Sequence, residues 1–578
     1  MGRRPRGRLQ TLKYTCAMLR RVPWLLLLAL AAALYAPTLT TGFLADDYNY
    51  LVLLGWWAQD GEVTARVLHN FGVGLDAASN FYRPLPVLSF ALNHAVAGAT
   101  PIGWRLVNLV AHLACGSLLA ALTAGLAARQ NARTALGAAI AAGVFLLSPA
   151  GPEVVAWVSG RFDALALFFM LLALACFERS ERWSDRYGIA GLAAAVCAFA
   201  SKESATLLPV FVLAFAIAKP RTARQASGAA TNGLDAIIAA ARRATPWFVL
   251  LVGYFLWRIA IFGSPFRVYP DAEPVASLLA GDWLTTLGSA AQWLEAALPV
   301  AAARRTLLVA LAAALGLGGA WCLAHRAYRV RWLALVGVVA LAIVLPLLQV
   351  RALDAQGEGG RLFYVAAAAL ALLVALPCTL PDSPEDWLWN RALRWTFVLA
   401  TIAVVAAEAV LLRAALLPWV SAGAQAQQLL RELATLPARI PADGYAFVLV
   451  PDRIGSVPFG RLAQGGLALP PVQAEALLPR LVVQTEPDLP AWPENIRRGL
   501  VDALKRYPAR EVWPAVAAGR ATSGVAPTHY FCWDTTHARL VALSMPSTVT
   551  TTDHWLPAWR QALKDSACEA LARAVPPN

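Results

Sequence analysis

Long apolar runs separated by charged or proline-rich breaks dominate the chain. A helix that crosses a bilayer needs about 20 mostly apolar residues, and eleven runs are candidates for such helices. They lie near residues 22–40, 103–127, 134–148, 160–177, 187–201, 204–218, 245–263, 306–324, 332–350, 362–380 and 395–417. The pattern predicts a polytopic α-helical membrane protein with about 11 transmembrane helices.

The composition supports this prediction. Of the 578 residues, 58% are hydrophobic and only 15% are charged, and the mean hydropathy of +0.55 is well above that of an ordinary soluble protein. The sequence therefore indicates an integral membrane protein that is in contact with membrane lipids.

The formal charge of +14 follows the predicted topology. Basic residues are concentrated before the first apolar run and in alternate loops between later runs, and the positive-inside rule makes those segments cytoplasmic. They are Arg3, Arg4, Arg6, Arg8, Lys13, Arg20 and Arg21, then Arg129, Arg133, Lys219, Arg221, Arg224, Arg242, Arg243, Arg326, Arg329 and Arg331. Because topology explains the charge, no nucleic-acid partner is expected.

Eleven spans from a cytoplasmic start divide the chain into three predicted parts. Residues 1–21 form a cytoplasmic N-terminus, residues 22–417 a transmembrane domain with external loops 41–102 and 264–305, and residues 418–578 an extracytoplasmic domain. The first run also resembles a signal peptide, although an uncleaved anchor would keep the acids that follow it at the membrane.

The predicted external segments contain local patterns of apolar residues that are typical of short helices and strands. The stretches "NYLVLLGWWAQ", with Trp56 and Trp57, and "WLTTLGSAAQWLEAALPV" are typical of helices in the membrane interface. In the tail, "YAFVLVP" and "ARLVALSMP" predict strands, and helical runs lie near 422–436, 495–507 and 556–574. The tail is therefore predicted to be a small soluble α/β domain.

The tail also contains Cys532 and Cys568, for which the sequence leaves disulfide formation open. The stretch "HYFCWDTTH", with His529 and His537, suggests zinc, but its spacing matches no strong zinc motif. No metal site and no cofactor are predicted, while a divalent metal requirement is left open. The short "GEGG" at 357–360 is interpreted as a flexible turn.

Polar residues are rare in this chain, and those near membrane depth are costly to bury, at about 2.5 to 3.5 kcal/mol for a central Asp, Lys or Arg. In the predicted topology they gather at the external side. The groups are Asp46 with Asp47; Arg83 with His94; Arg105, Asn108 and His112; Glu153, Arg161 and Asp163; Lys202 with Glu203; and Glu358, Arg361 and Tyr364.

One outward-facing site with carboxylates and several cations suits sugar transfer from a lipid-linked phosphate donor. A base must take a proton from the acceptor hydroxyl, and cations must neutralise the departing phosphate. Arginine can grip phosphate oxygens in bidentate fashion, and lysine acts as a point charge.

Structural roles compete with these functional ones. Asp46 and Asp47 could be a solvated helix cap, Arg83 an interfacial anchor, and Arg361 a residue that ends the tenth span. The pairs Arg161 with Asp163 and Lys202 with Glu203 could hold helices together, and His94 and His112 are better explained as hydrogen-bonded packing groups.

Five motifs resemble, in order, those of the GT-C glycosyltransferases. They are "GFLADDYNYL", "YRPLPVLSFALNH", "RLVNLVAHL", "EVVAWVSGRFDALALFFMLLAL" and "SKESATLLPV", which cover roughly residues 40–215, with a looser match at "GRLFYV". The likeness is strongest to the protein O-mannosyltransferase branch, especially its transmembrane, tetratricopeptide-bearing members.

The resemblance implies a GT-C-like fold and an acid pair at the active site, with Asp46 as general base and Asp47 orienting the acceptor or the sugar. Which of the two takes the proton is left open. It further implies a polyprenyl-phosphate sugar donor, with Arg83, Arg161, Lys202 and Arg361 contacting the phosphate. Supporting or sugar-contacting roles fall to Glu153, Asp163, Glu203, Asn108 and Tyr364.

The chain departs from the family pattern in its tail, which has no 34-residue period, and at "SPAGPE", which lacks the usual histidine. The acceptor is therefore expected to be a protein, a lipid or a glycan, and a bacterial inner membrane enzyme fits the pattern. The expected function is an inverting glycosyltransferase that moves mannose or a similar sugar on the extracytoplasmic side. The alternatives are a lipid-linked sugar flippase without transfer chemistry and a non-catalytic partner of another glycosyltransferase.

Overall fold

The computed structural model describes most of the chain with gaps. The described residues are 22–69, 83–127, 131–218, 233–263, 283–324, 326–347, 356–379, 387–441, 446–461, 463, 466–474, 477, 481–485, 529–545 and 555–572. The predicted N-terminal segment 1–21, residues 264–282 of the predicted external loop and the helical run 495–507 lie outside them.

The described residues are mostly helical. The helices are α1 (Val22–Tyr35), α2 (Asp47–Gln59), α3 (Val63–His69), α4 (Pro84–Ala97), α5 (Pro101–Leu126), α6 (Ala132–Leu146), α7 (Pro152–Val155), α8 (Arg161–Arg179), α9 (Arg186–Phe199), α10 (Leu208–Ala218), α11 (Gly233–Phe262), α12 (Trp283–Ala297), α13 (Ala301–Ala324), α14 (Arg326–Leu347), α15 (Tyr364–Ala375), α16 (Trp387–Thr435), α17 (Trp555–Lys564) and α18 (Glu569–Ala572). Short 3-10 turns include Val158–Gly160, Glu203–Leu207 and Gly360–Phe363.

Six helical segments in the described part of the chain are long and apolar enough to cross a membrane. They are Pro101–Leu126, Val158–Arg179, Ala301–Ala324, Tyr328–Pro346, Gly360–Thr379 and Ala392–Arg439. Each corresponds to a predicted span. Large apolar side chains such as Val309 (71% exposed) and Leu399 (63% exposed) lie on the outer surfaces of these helices, as expected of a multi-pass membrane protein.

The predicted count of eleven spans is not confirmed. Four predicted spans are apolar helices of only 10 to 17 residues, namely Pro23–Thr38, Arg133–Leu146, Arg186–Phe199 and Glu203–Ile217. These are shorter than the roughly 20 residues that a full crossing needs. The span predicted at 245–263 lies within α11.

The chain divides into two compact units. The first comprises Met1–Ala36, Val107–Ala156 and Gly160–Leu416, and the second comprises Pro37–Leu106, Trp157–Ser159 and Leu417–Asn578. Two of the boundaries between the units fall inside helices, one in α5 and one in α16.

Local capping and close packing position the helices of the first unit. The side chain of Asn131 accepts the backbone N–H of Thr134 at 3.0 Å and caps α6. Gly160 precedes α8, and a Cβ there would lie 2.4 Å from the Val154 carbonyl oxygen. Because no larger residue fits this approach, the glycine brings the start of α8 against the turn at α7.

The second unit contains a four-stranded sheet of order β4-β1-β5-β6. Its strands are β1 (Ala446–Val450), β4 (Leu481–Thr485), β5 (His529–Asp534) and β6 (Arg539–Leu543), and β2 (Arg453–Ile454) pairs with β3 (Val457–Pro458) in a separate ladder. β1 is parallel to β4 and β5, and β5 is antiparallel to β6. The fully buried apolar sequence of β1 is typical of a central parallel strand.

The strands predicted from "YAFVLVP" and "ARLVALSMP" are confirmed, as are the helices near 422–436 and 556–574. The small C-terminal α/β region is therefore present. β5 was not predicted, because the cysteine and histidine of "HYFCWD" suggested a zinc stretch there.

The core of the second unit joins the sheet to α2. Phe447 and Leu449 of β1 pack with Trp559 of α17 and with Val52 and Trp56 of α2. Trp56 is only 5% exposed. The prediction that Trp56 lies among the lipid headgroups is therefore wrong, because its ring packs in the protein core.

Cys532 and Cys568 form a disulfide across 36 residues. The sulfur of Cys532, the cysteine of the suggested zinc stretch, is thereby used, and His537 Nδ1 lies 2.7 Å from Asp534 Oδ2. Among the described residues, no group of three or more His, Cys, Asp or Glu side chains is arranged to hold a metal ion.

Candidate active site

The acid pair lies at the start of α2, in the second unit. Asp46 occupies the N-cap position, but its side chain makes no capping hydrogen bond. Asp47 is only 1% exposed, and its Oδ2 accepts the backbone N–H of Leu44 at 3.2 Å. The alternative of a solvated helix cap is therefore wrong, since one acid is buried and the other does not cap.

Ser159 contacts both acids. Its hydroxyl donates to Asp46 Oδ1 at 2.8 Å, and its backbone N–H donates to Asp47 Oδ1 at 3.2 Å. The hydroxyl oxygen also lies 3.3 Å from Asp47 Oδ1. Ser159 stands on the 3-10 turn Val158–Gly160 and is 3% exposed.

The turn that precedes the acids is held by a buried arginine. Arg105 is fully buried and donates through Nη1 and Nη2 to the carbonyl oxygens of Thr41 and Gly42. Ala45 has a φ of 50°, and its N–H donates to the carbonyl oxygen of Phe459 at 2.9 Å. A left-handed backbone at a non-glycine residue costs about 1 to 2 kcal/mol, and these bonds hold it in place.

Burial and the charge of Asp46 raise the pKa of Asp47 from its ordinary value of 3.8 to about 7. The charge of Arg105 and the N–H groups of Leu44 and Ser159 act in the opposite direction without cancelling the rise. Asp47 is therefore a carboxyl group that titrates near neutral pH.

Tyr50 and Arg83 complete the surroundings of the acid pair. Burial raises the pKa of Tyr50, the charges of Asp46 and Asp47 raise it further, and the charge of Arg83 and a hydrogen bond with Ser159 lower it. Tyr50 thus lies within electrostatic range of the acids and of Arg83. Arg83 precedes the first turn of α4 and is half-buried.

In the first unit, Glu153 holds the segment that contains Arg361. The backbone N–H groups of Gly359 and Arg361 donate to Glu153 Oε2 at 3.0 and 3.2 Å, and Arg361 Nε lies 3.1 Å from Glu153 Oε1. Gly357 and Gly359 have φ values of 88° and 108°, which glycine adopts readily. The predicted turn at "GEGG" is therefore present, and two of its backbone N–H groups donate to a carboxylate.

Two ion pairs link other predicted site residues of the first unit. Lys202 Nζ donates to both carboxylate oxygens of Asp163, at 2.7 and 2.6 Å. Glu203 Oε1 lies 3.6 Å from Nη1 of the buried Arg258. The sequence had suggested Arg161 with Asp163 and Lys202 with Glu203, so the observed pairs join residues much farther apart in the chain.

Asn108 and Tyr364 support neighbouring groups. Arg161 Nε donates to Asn108 Oδ1 at 2.8 Å, and Asn108 Nδ2 donates to the Val154 carbonyl oxygen at 3.1 Å. The Tyr364 hydroxyl lies 2.8 Å from His112 Nδ1. His112 Nε2 lies 3.1 Å from the Leu146 carbonyl oxygen, so the prediction that His112 is a hydrogen-bonded packing group is confirmed.

The predicted site residues thus fall into two sets. Asp46, Asp47 and Arg83 belong to the second unit. The first unit contains Glu153 with Arg361, Asp163 with Lys202, Asn108 with Arg161, then Glu203 and Tyr364. That the two sets serve one reaction stays a prediction.

Sequence reasoning missed Ser159 and Tyr50 as site residues. Both lie within the quoted motifs, in "AWVSGRFD" and "ADDYNYL", but neither carries a charge. The placement of Tyr50 four residues after Asp46 in a helix is the one local signal that was present.

No family model matches this chain. The Drosophila melanogaster protein O-mannosyl-transferase Tmtc1 is 34% identical over 189 residues, which cover 31% of this chain and 20% of the relative. The chain is similar to protein O-mannosyl-transferases. This confirms the resemblance that the motifs indicated.

Two further relatives carry the same name. Drosophila melanogaster Tmtc2 is 35% identical over 162 residues, covering 27% of this chain and 17% of the relative. Human TMTC2 is 32% identical over 152 residues, covering 26% of this chain and 18% of the relative. The chain spans about a fifth of the length of these curated relatives.

Among solved structures, ArnT from Cupriavidus metallidurans bound to undecaprenyl phosphate aligns with a TM-score of 0.40 and 13% identity. The alignment covers 76% of this chain and 83% of that chain. The apo form of the same protein aligns with a TM-score of 0.38 and 14% identity, covering 82% and 91%.

Proposed function

We propose that this chain is a GT-C-type membrane glycosyltransferase. It transfers mannose or a similar sugar from a polyprenyl-phosphate donor to an acceptor on the extracytoplasmic side of the membrane, with inversion. The acid pair carries the proposal, because one half-buried and one buried carboxylate are held side by side in a motif that resembles the family's active site. The similarity to O-mannosyl-transferases supports the reaction class.

In this mechanism Asp46 takes the proton from the acceptor hydroxyl. The acceptor oxygen then attacks the anomeric carbon, the bond from that carbon to the phosphate oxygen breaks, and polyprenyl phosphate leaves. A single displacement of this kind inverts the anomeric configuration. Base catalysis typically contributes about 10²- to 10⁴-fold, with positioning and phosphate stabilisation supplying more.

Cationic side chains are proposed to neutralise the departing phosphate. Arg83 is a candidate because its charge acts on the pKa of Tyr50. The charge of the proposed base, Asp46, acts on the same tyrosine. Arg161, Lys202 and Arg361 remain candidates from the motif resemblance. Lys202 and Arg361 each contact a carboxylate, of Asp163 and Glu153 respectively, which would fix their side chains before the donor binds.

The proposed setting is a bacterial inner membrane with a cytoplasmic N-terminus and an extracytoplasmic C-terminal region. It rests on the distribution of Lys and Arg between loops. The acceptor is proposed to be a protein, as the names of the relatives suggest, with lipid and glycan acceptors as the other outcomes of the test.

The test is a transfer assay with the purified full chain in liposomes that contain polyprenyl-phosphate mannose. Acceptors are the extracytoplasmic proteins, lipids and glycans of cells that lack the gene, and mass spectrometry detects the added sugar. Hexose transfer to one acceptor class is the expected result. Movement of the donor across the bilayer without transfer would replace this proposal with the flippase alternative.

A further inference from the structure

Ser159 touches the two acids with different atoms. The hydroxyl donates to Asp46 at 2.8 Å, whereas the backbone N–H donates to Asp47 at 3.2 Å. A serine hydroxyl has one proton to donate, and the shorter distance assigns it to Asp46 rather than to Asp47 at 3.3 Å. A change of the side chain therefore affects the bond to Asp46 and leaves the bond to Asp47 in place.

The two carboxylates are made unequal by these contacts. Asp47 accepts backbone N–H groups on both oxygens, from Ser159 on Oδ1 and from Leu44 on Oδ2, and is almost completely buried. Asp46 is half-buried and receives a side-chain hydroxyl. Because a backbone donor holds each of its two oxygens, Asp47 is the more constrained member of the pair.

Ser159 itself is rigidly placed. It is 3% exposed, and both its hydroxyl and its backbone N–H donate to carboxylates of the same unit. A hydroxyl fixed in this way can hold Asp46 in one rotamer.

We infer that Ser159 is a positioning residue that makes Asp46, rather than Asp47, the base of the transfer reaction. The inference rests on the proposed function. Ser159 orients the Asp46 carboxylate toward the acceptor hydroxyl and favours its ionised form, because a hydrogen bond donated to a carboxylate stabilises the charge. The sequence alone left open which acid is the base.

The experiment compares the wild-type chain with Ser159→Ala, Ser159→Thr and the control Ser89→Ala. Ser89 belongs to the same unit, and its hydroxyl donates to the Pro86 carbonyl oxygen at 2.7 Å rather than to an acid. Each purified protein is assayed for transfer from polyprenyl-phosphate mannose across a pH series, and its thermal unfolding midpoint is measured.

Ser159→Ala is expected to lower kcat about 10-fold, less than the loss of the base itself would, with KM for the donor unchanged. The acid limb of its pH profile should move to higher pH, because the ionised form has lost a donor. Ser159→Thr restores the hydroxyl and should recover most of kcat, and Ser89→Ala should match the wild type.

Two results would overturn the inference. One is a Ser159→Ala enzyme with the wild-type kcat and pH profile. The other is a loss of kcat that is equal at every pH and accompanied by a lower unfolding midpoint, which would indicate a merely structural role. If Ser159→Ala does not fold, Ser159→Cys replaces the hydroxyl by a weak donor at the same position and must show the same pH shift. Absence of transfer by the wild type would instead refute the proposed function.

Discussion

Glu153 and Arg361, 208 residues apart in the chain, are joined by two contacts. The carboxylate accepts the backbone N–H of Arg361 at 3.2 Å, and its other oxygen lies 3.1 Å from the guanidinium Nε. Burial raises the pKa of Glu153, and the charge of Arg361 together with the N–H groups of Arg361 and Gly359 lowers it. The carboxylate thus fixes both the backbone and the side chain of a residue proposed to bind the donor phosphate.

Replacement of Glu153 by glutamine should therefore destabilise the chain. We expect a loss of about 1 to 2 kcal/mol, less than for a fully buried pair because Arg361 is 30% exposed. KM for the donor should rise as well, because the guanidinium is no longer held. Thermal unfolding in detergent and donor titration measure the two effects.

The matched control is Glu295→Gln. Glu295 is 71% exposed and lies 3.4 Å from Arg304, so its removal should change stability by less than about 0.5 kcal/mol. A Glu153→Gln protein that unfolds at the wild-type temperature with an unchanged KM would show that the pair has no such role.

Asp47 should make stability depend on pH near neutrality. Because its pKa is raised from 3.8 to about 7 in the folded chain, folding is favoured while the group is protonated, and that contribution is lost as the pH rises through about 7. Asp47→Asn removes the titration. Its unfolding midpoint, measured relative to wild type, should increase between about pH 4 and about pH 7 and stay constant above that.

Asp60→Asn is the control for this series, since Asp60 is an exposed acid at the other end of α2. It should show no such change with pH. A difference between Asp47→Asn and wild type that stays constant from acid to alkaline pH would contradict the raised pKa.

Loss of the disulfide should destabilise the core against which α2, the helix that begins at the acid pair, is packed. Cys532 and Cys568 share a core with Val52 and Trp56 of α2. For a loop of this length the chain-entropy model gives a stabilisation of about 4 kcal/mol, at the upper end of the usual range of about 2 to 4 kcal/mol. The double variant with serine at both positions should unfold at a lower temperature and lose transfer activity in parallel.

Reduction of the wild-type protein provides an independent comparison. It should lower the unfolding midpoint by the same amount as the double serine variant, and it should have no further effect on that variant. Full transfer activity in the reduced protein would show that the core around α2 persists without the bond.

Local patterns predicted much of the fold. Hydropathy identified the long apolar helices such as α5 and α13, since a run of apolar residues is a strong local signal. The alternating and apolar strands β1 and β6 were also found. β5 was missed because its cysteine and histidine drew attention to metal chemistry rather than to its aromatic, strand-forming side chains.

The contacts of the candidate site were beyond the reach of sequence patterns. Ser159 and Asp46 are 113 residues apart, and Lys202 and Asp163 are 39 apart. A buried charged residue implies a partner, because burying a charge alone is costly. The sequence does not show which residue that partner is. Motif order pointed to the acids and cations as candidates, and the structure added the uncharged Ser159 hydroxyl, which donates to Asp46.

The most direct measurement is the transfer rate of purified Asp46→Asn, with Asp60→Asn on the same helix as its control. Asp46→Asn should fold like the wild type, bind polyprenyl-phosphate mannose and lower turnover by at least about 10²-fold, while Asp60→Asn retains full turnover. Full turnover by Asp46→Asn would contradict the assignment of Asp46 as the base.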